Sequence, residues 1–169
     1  MFIALKNAIR FEEDGYAFYK DIAEKTSQPL AKRLFESLAL QEKEHKERIL
    51  EIYEAKSERR EWQLENPAHT SLEDEVKALF EELDDEKKRI PLDHIEGYRL
   101  AMEMERKGFN MYRKYADEAK TPEEKAFFET LMKEEGEHLS SLDNVHRFLT
   151  GSEIWYSEDE SKVWNWMNT

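Results

Sequence analysis

Apolar residues recur along most of the chain at intervals of three and four positions, which is the spacing of one face of an α-helix. Pro29 and Pro122 interrupt this pattern. Because proline is favoured in the first turn of a helix, a helix is predicted to begin at each of them. Thr121 and Glu124 have the spacing of a capping box, and Gly151 follows the last periodic residues. The pattern predicts an all-α fold with four helices, over about 2–25, 29–56, 93–119 and 122–148.

A charged segment, 57–92, separates the second predicted helix from the third. It holds an amphipathic stretch over about 71–88, whose apolar side carries Leu72, Val76, Leu79, Phe80 and Leu83. We expect a long crossover connection with a short extra helix, and no second domain. Residues 1–150 then form one domain, and residues 151–169 form a short C-terminal tail.

The tail, 151–169, is acidic and rich in aromatic residues. It contains Trp155, Trp164 and Trp166, and such large apolar side chains are rarely left in water. We expect them to cover the bundle or a second subunit, so that the protein is a homodimer or a larger homo-oligomer.

The chain repeats itself internally. An offset of 93 positions, which takes Glu12 to Glu105, also pairs Gly15 with Gly108, and it continues without a gap through Tyr19 and Tyr112, Pro29 and Pro122, Phe35 and Phe128, Glu42 and Glu135, and His45 and His138. A composition rich in glutamate does not explain why Gly, Tyr, Pro, Phe and His also match at this single offset. Each half, 2–56 and 93–148, is therefore a helical hairpin, and two hairpins joined by a long connection predict a four-helix bundle.

The composition excludes several classes of function. The chain has no cysteine, which excludes a disulfide framework, a zinc finger, a thiolate-bound iron–sulfur centre and a thiol nucleophile. A net charge of -13 repels phosphate backbones and anionic lipid. The sequence shows neither a membrane span nor a cleavable leader. We expect a cytoplasmic protein that binds no nucleic acid and no membrane.

Each predicted helix carries one glutamate in its apolar row, and these are Glu12, Glu42, Glu105 and Glu135. An unpaired buried carboxylate is strongly destabilising, and four of them also repel one another. Glu12 and Glu42 lie about 15 residues on either side of the first turn, or roughly 22 Å along each helix. Glu105 and Glu135 flank the second turn in the same way, so we expect all four to meet around cations.

Two histidines complete the candidate ligand set. His45 and His138 each follow a core glutamate by three residues, one turn along the same face. Four glutamates with two Glu-x-x-His motifs are the ligands of a dinuclear carboxylate centre, in which two divalent cations balance four negative charges. Hard oxygen ligands with one imidazole per ion suit iron or manganese better than copper. The alternative is a metal-free core of Glu–His and Glu–Tyr hydrogen bonds.

Other polar residues near this set have less specific interpretations. Tyr19 and Tyr112 follow Glu12 and Glu105 by seven residues on the same face, where they either donate to a ligand or simply pack in the core. Histidines outside the repeat are expected at the surface or at caps: His69, His94 and His146. The glutamates next to the ligands turn away from the apolar row and are expected in solvent: Glu13, Glu44, Glu103, Glu134 and Glu137.

These motifs resemble the rubrerythrin branch of the ferritin-like diiron-carboxylate superfamily. The resemblance rests on Glu12-x6-Tyr19, Glu42-x-x-His45, Glu105-x6-Tyr112 and Glu135-x-x-His138. It implies a ferritin-like bundle with two iron ions, although manganese or a mixed pair is possible. It implies that Glu42 and Glu135 bridge the ions, that Glu12 and His45 complete one ion, and that Glu105 and His138 complete the other. The family reduces hydrogen peroxide or dioxygen, or oxidises ferrous iron.

Two departures from the family pattern bear on the expected activity. Members with well-developed peroxidase activity carry a further carboxylate at the position that is Gly108 here. They also carry a cysteine-rich rubredoxin module, whereas this chain has no cysteine. Electrons are therefore expected from an external donor such as a rubredoxin-like protein.

Three functions remain open from the sequence. The first is a redox-active diiron protein of peroxidase or oxidase type, in which the six Glu and His residues are both the metal ligands and the catalytic residues. The second is ferrous-iron oxidation or iron handling without peroxidase turnover. The third is a metal-free helical interaction module that uses the tail.

Overall fold

A computed structural model describes residues 1–62, Leu72 and residues 95–149. These residues form four α-helices: α1 (Phe2–Lys25), α2 (Pro29–Ser57), α3 (Ile95–Asp117) and α4 (Pro122–Leu149). The prediction of an all-α fold is confirmed, and no strand occurs in the described ranges. The expected start of the third helix at residue 93 lies outside the described residues, and that helix ends at Asp117, two residues before the predicted end.

The helix starts follow from local hydrogen bonding. Before α2, the side chain of Gln28 accepts a hydrogen bond from the Ala31 backbone N–H, while Pro29 occupies the first turn. Before α4, the Thr121 hydroxyl accepts from the Glu124 N–H at 3.2 Å, as the capping-box spacing predicts. These contacts satisfy backbone donors that the helix itself leaves unpaired.

The two halves of the chain pack as two hairpins. Helix α1 lies along α2, and α3 lies along α4, while α1 also meets α3 and α2 also meets α4. The four described helices therefore form an antiparallel bundle in which the two hairpin turns lie at opposite ends.

Apolar side chains fill the bundle in two separate clusters. The first cluster lies near the α1–α2 turn and contains Tyr19, Leu34, Phe35, Leu38 and Leu142 among its buried members. The second lies near the α3–α4 turn and contains Leu5, Ile49, Tyr112, Phe128 and Leu131. Between them the core is polar, because all six candidate ligands are buried at the middle of the helices.

Most of the predicted crossover and all of the tail lie outside the described residues. Of the amphipathic stretch only Leu72 is described, and it is buried against the first apolar cluster. The extra helix, the domain limits and the contacts of the tail tryptophans remain predictions of the sequence. Within the described ranges, no helix is both long enough and apolar enough to cross a bilayer.

Candidate metal centre

The structure brings the six predicted ligands into one buried layer. Their ligand atoms form two groups, each with its members within 4.8 Å of one another: Glu12, Glu42, His45 and Glu135 in the first, and Glu42, Glu105, Glu135 and His138 in the second. Both groups are fully buried. Because Glu42 and Glu135 belong to both groups, the arrangement has room for two cations that share these two carboxylates.

The histidines face the carboxylates through Nδ1. His45 Nδ1 lies 3.2 Å from Glu42, 3.4 Å from Glu12 and 3.4 Å from Glu135. His138 Nδ1 lies 3.3 Å from both Glu42 and Glu105. The two rings stack at 5.3 Å with an interplanar angle of 8°. One ring nitrogen of each histidine is thus directed into the cluster, and the other points away from it.

Each of the predicted tyrosines hydrogen-bonds to a glutamate of the other hairpin. Tyr19 donates to Glu105, and Tyr112 donates to Glu12. Both tyrosines are completely buried, and burial together with the neighbouring carboxylates raises the pKa of each phenol well above its ordinary value. The phenols therefore remain protonated donors that fix the orientation of Glu12 and Glu105.

Two glycines of the repeat allow close packing against the shared carboxylates. A Cβ at Gly15 would lie 3.4 Å from the Glu42 side chain, an ordinary contact. A Cβ at Gly108 would lie only 2.6 Å from Glu135 Oε2 and 2.8 Å from Phe11. A side chain at residue 108 would therefore have to displace the Glu135 carboxylate and Phe11.

Sequence reasoning missed two residues that contact the Nε2 atoms of the histidines, on the side of each ring away from the carboxylate cluster. Glu134 Oε2 lies 3.3 Å from His45 Nε2, and Gln41 Oε1 lies 2.8 Å from His138 Nε2. The expectation that Glu134 is in solvent is wrong, because its side chain is only 14% exposed and is paired with Arg48. The repeat could have identified them, since Gln41 and Glu134 occupy equivalent positions four residues before the two histidines.

Burial and mutual repulsion determine the protonation of the carboxylates. Burial, with the charge of Glu42 added, raises the pKa of Glu12 to about 8. Burial and then the neighbouring carboxylates, Glu42 first, raise the pKa of Glu135 well above its ordinary value. For Glu42 burial acts in the same direction, but the attraction of His138 outweighs it and the pKa falls well below the ordinary value.

The histidines carry the compensating positive charge when no metal is bound. Burial favours the neutral form of His45, but the surrounding carboxylates, Glu12 first, hold its pKa well above the ordinary value. His138 behaves alike, with Glu105 as the leading cause of the rise in its pKa. Protons on the carboxylates and imidazoles therefore offset the negative charge that cations would otherwise balance.

The donor set fits a pair of metal ions. Several buried atoms of the cluster have no hydrogen-bond partner within the described part of the chain: Glu12 Oε2, Glu42 Oε2, His45 Nδ1 and both carboxylate oxygens of Glu135. Buried polar atoms are nearly always satisfied, and acceptors that face one another require a cation or a proton between them. Carboxylate oxygens with one imidazole per group are ligands that iron and manganese accept.

The metal-free protein is expected to lose stability as pH rises from 6 to 8. The folded protein holds a proton on Glu12 until the pH approaches its pKa of about 8, whereas the unfolded chain, with an ordinary value near 4.5, has released it; the raised pKa of Glu135 acts in the same direction. The folded state binds more protons, so the free energy of unfolding falls with pH, by about 2 kcal/mol from Glu12 alone. The raised pKa values of His45 and His138 act in the same direction.

Urea unfolding in chelator at several pH values measures this slope. Glu12→Gln should flatten it, while the control Glu13→Gln, which changes an exposed neighbour, should leave it unchanged. A metal-free protein that is more stable at pH 8 than at pH 6 would contradict the protonation described above.

Gly108→Ala is expected to weaken metal binding more than the equivalent change Gly15→Ala. The new methyl group at residue 108 must displace the Glu135 carboxylate or Phe11, whereas at residue 15 it meets only an ordinary contact. Alanine favours a helix over glycine by about 1 kcal/mol, so the helix itself is not harmed in either variant. Calorimetric titration with Mn²⁺ compares the two, and equal affinities would show that Glu135 is not held against Gly108.

Comparison with known proteins agrees with the geometry of this centre. A family model described as Rubrerythrin matches residues 4–146, which is most of the chain. No curated protein and no solved structure matched the chain. Given the extent of the family match, the chain belongs to the rubrerythrin family, a family of ferritin-like diiron-carboxylate proteins.

Proposed function

We propose that this protein binds two iron ions and reduces hydrogen peroxide or dioxygen with electrons from an external donor. One observation carries the proposal: two buried Glu/His groups overlap at Glu42 and Glu135. Two ions held by shared carboxylates are close enough to act on one small oxidant. A structural site for a single ion needs neither the overlap nor the second histidine.

The side chains of the centre have distinct tasks in this proposal. Glu42 and Glu135 would be shared by the two ions, Glu12 and His45 would hold one of them, and Glu105 and His138 would hold the other. Tyr19 and Tyr112 hold Glu105 and Glu12 in place by donating hydrogen bonds. These bonds leave the second oxygen of each carboxylate available to a metal ion.

Iron is the proposed metal, with manganese or a mixed pair as the alternative. Oxygen ligands with one imidazole per ion suit both metals, and the chain offers no thiolate that would favour zinc or copper. When bound, a ferrous pair supplies two electrons and Lewis acidity to an oxygen–oxygen bond. The apolar clusters on both sides of the layer restrict the access of water to it.

The electron donor is proposed to be a separate protein such as a rubredoxin-like partner. This part of the proposal rests on the absence of cysteine from the chain, since a thiolate-bound iron centre within the same chain would need it. Self-association through the tail and a cytoplasmic location likewise remain predictions of the sequence.

One observation favours ferrous-iron oxidation without peroxidase turnover as a second candidate. The resembling peroxidases carry a further carboxylate at position 108, whereas here the residue is Gly108, and a side chain there would have to displace Glu135 or Phe11. The candidates differ in oxidant preference and turnover. A peroxidase consumes peroxide repeatedly when an electron donor is supplied, whereas a ferroxidase consumes ferrous iron with dioxygen.

Anaerobic loading with ferrous iron tests the proposed function. We expect two iron ions per chain, followed by oxidation of both when one equivalent of hydrogen peroxide is added, as measured by absorption spectroscopy. The double variant Glu42→Gln and Glu135→Gln should lose the iron, because it removes both shared ligands. Its metal-free form should be at least as stable as the metal-free wild type, since the change relieves the repulsion among the buried carboxylates.

The matched control is the double variant Glu36→Gln and Glu129→Gln. These glutamates also occupy equivalent positions of the repeat, but they are 43% and 50% exposed and pair with Arg33 and Lys125 on the surface. The control should bind iron as the wild type does. A wild-type protein that takes up no iron, or whose iron stays ferrous with both peroxide and dioxygen, contradicts the proposal.

A further inference from the structure

The two halves of the metal centre match closely in their inner contacts. Each histidine directs Nδ1 toward the shared carboxylate of the other hairpin, at 3.4 Å for His45 and Glu135 and at 3.3 Å for His138 and Glu42. Each unshared carboxylate accepts a hydrogen bond from the tyrosine of the other hairpin. These equivalent contacts do not favour either half, and the inner difference that remains is that His45 Nδ1 also lies 3.2 Å from Glu42 of its own helix.

The halves differ in the residue that contacts Nε2 of each histidine, on the side of the ring away from the carboxylates. Helix α4 supplies Glu134 to His45 of α2, and α2 supplies Gln41 to His138 of α4. Both contacts cross between the helices in the same manner, because Gln41 and Glu134 are equivalent in the repeat. One histidine therefore meets an anionic carboxylate, and the other meets a neutral amide.

The carboxylate is also fixed in position. Arg48 forms two parallel contacts with Glu134, from Nη1 to Oε1 at 3.1 Å and from Nη2 to Oε2 at 2.6 Å. The residue equivalent to Arg48 in the second half is Ser141, which carries no charge. Gln41 therefore has no comparable clamp at the equivalent position.

We propose that the two metal positions are unequal, and that the position completed by His45 binds its cation more tightly and fills first. Glu134 and Arg48 act as positioning residues for His45. Gln41 holds His138 less strongly. This inference rests on the proposed function, since it requires that the centre bind two cations.

The reason is the hydrogen bond on the far side of the imidazole. An acceptor at Nε2 keeps the proton there and leaves the Nδ1 lone pair directed at the metal. A carboxylate is an anion and can only accept, so it increases the electron density of the ring and holds it in one orientation. A neutral amide increases the donor strength of the ring less. Loss of such an outer partner typically lowers metal affinity about 10–100-fold.

Titration with Co²⁺ tests the order of filling without any turnover. In protein labelled with ¹⁵N-histidine, the Nε2–H proton of each metal-bound imidazole gives its own paramagnetically shifted signal. The signal that moves in the fully loaded Glu134→Gln variant belongs to His45, and the one that moves in Gln41→Glu belongs to His138. In the wild type we expect the His45 signal with the first equivalent of Co²⁺ and the His138 signal only with the second.

Two variants should change this order in ways that follow from their charge. Glu134→Gln makes the outer acceptors alike, so both signals should appear together and the first ion should bind about 10–100-fold more weakly. Gln41→Glu gives His138 an anionic acceptor as well, although without an equivalent of Arg48, and it should strengthen the binding of the second ion. The matched control is Glu137→Gln, which removes a negative charge from the same helix at a residue that pairs with Lys133. The control should retain the wild-type order.

The possible failures are distinguishable. Appearance of the His138 signal first, or of both signals together in the wild type, overturns the inequality while the two-ion centre stands. A wild-type order that survives in Glu134→Gln overturns the role of that residue. Failure of the wild type to bind any Co²⁺ in this centre contradicts the proposed function itself. If Glu134→Gln does not fold, Gln41→Glu decides: the His138 signal should appear at a lower ratio of Co²⁺ than in the wild type, and an unchanged ratio overturns the role of the outer acceptor.

Discussion

Repulsion among four buried carboxylates is the constraint on which this structure depends. Glu12, Glu42, Glu105 and Glu135 are at most 2% exposed, and their oxygens lie within a few ångströms of one another. Such a group cannot be fully ionised without positive charge among its members. The layer therefore contains imidazoles and phenols instead of aliphatic side chains, and the apolar core is divided into two clusters.

The internal repeat explains how one short pattern supplies both halves of this layer. Each hairpin brings a Glu-x6-Tyr pair on its first helix and a Glu-x-x-His pair on its second. The hairpins pack with their turns at opposite ends, so each tyrosine reaches the glutamate of the other hairpin. Because the hairpins share this pattern, a difference between equivalent positions is easy to identify. The pair Gln41 and Glu134, and the pair Arg48 and Ser141, stand out in this way.

Much of the fold and the inner centre could be predicted from the sequence. The informative feature is a charged residue at a position where the helical pattern calls for an apolar one. A charged residue in an apolar row stands out, and Glu12 and Glu105 do so at equivalent positions. Helix ends were within two residues wherever the structure describes them, since prolines and caps mark them. The burial of Glu134 could not be predicted, because periodicity gives only the side of the helix on which a residue lies. Whether a neighbouring helix covers that side depends on the packing of the bundle. The approach of Gly108 to Glu135 depends on helix spacing, which no single-chain pattern contains.

The crossed hydrogen bonds have a consequence for the independence of the two hairpins. A lone hairpin holds only half of each set, because its tyrosine donates to a glutamate of the other hairpin and its outer acceptor contacts a histidine of the other hairpin. Neither hairpin can therefore complete its own set of contacts. Because both hairpins belong to one chain, equivalent positions can carry different residues, which two identical chains paired symmetrically could not do.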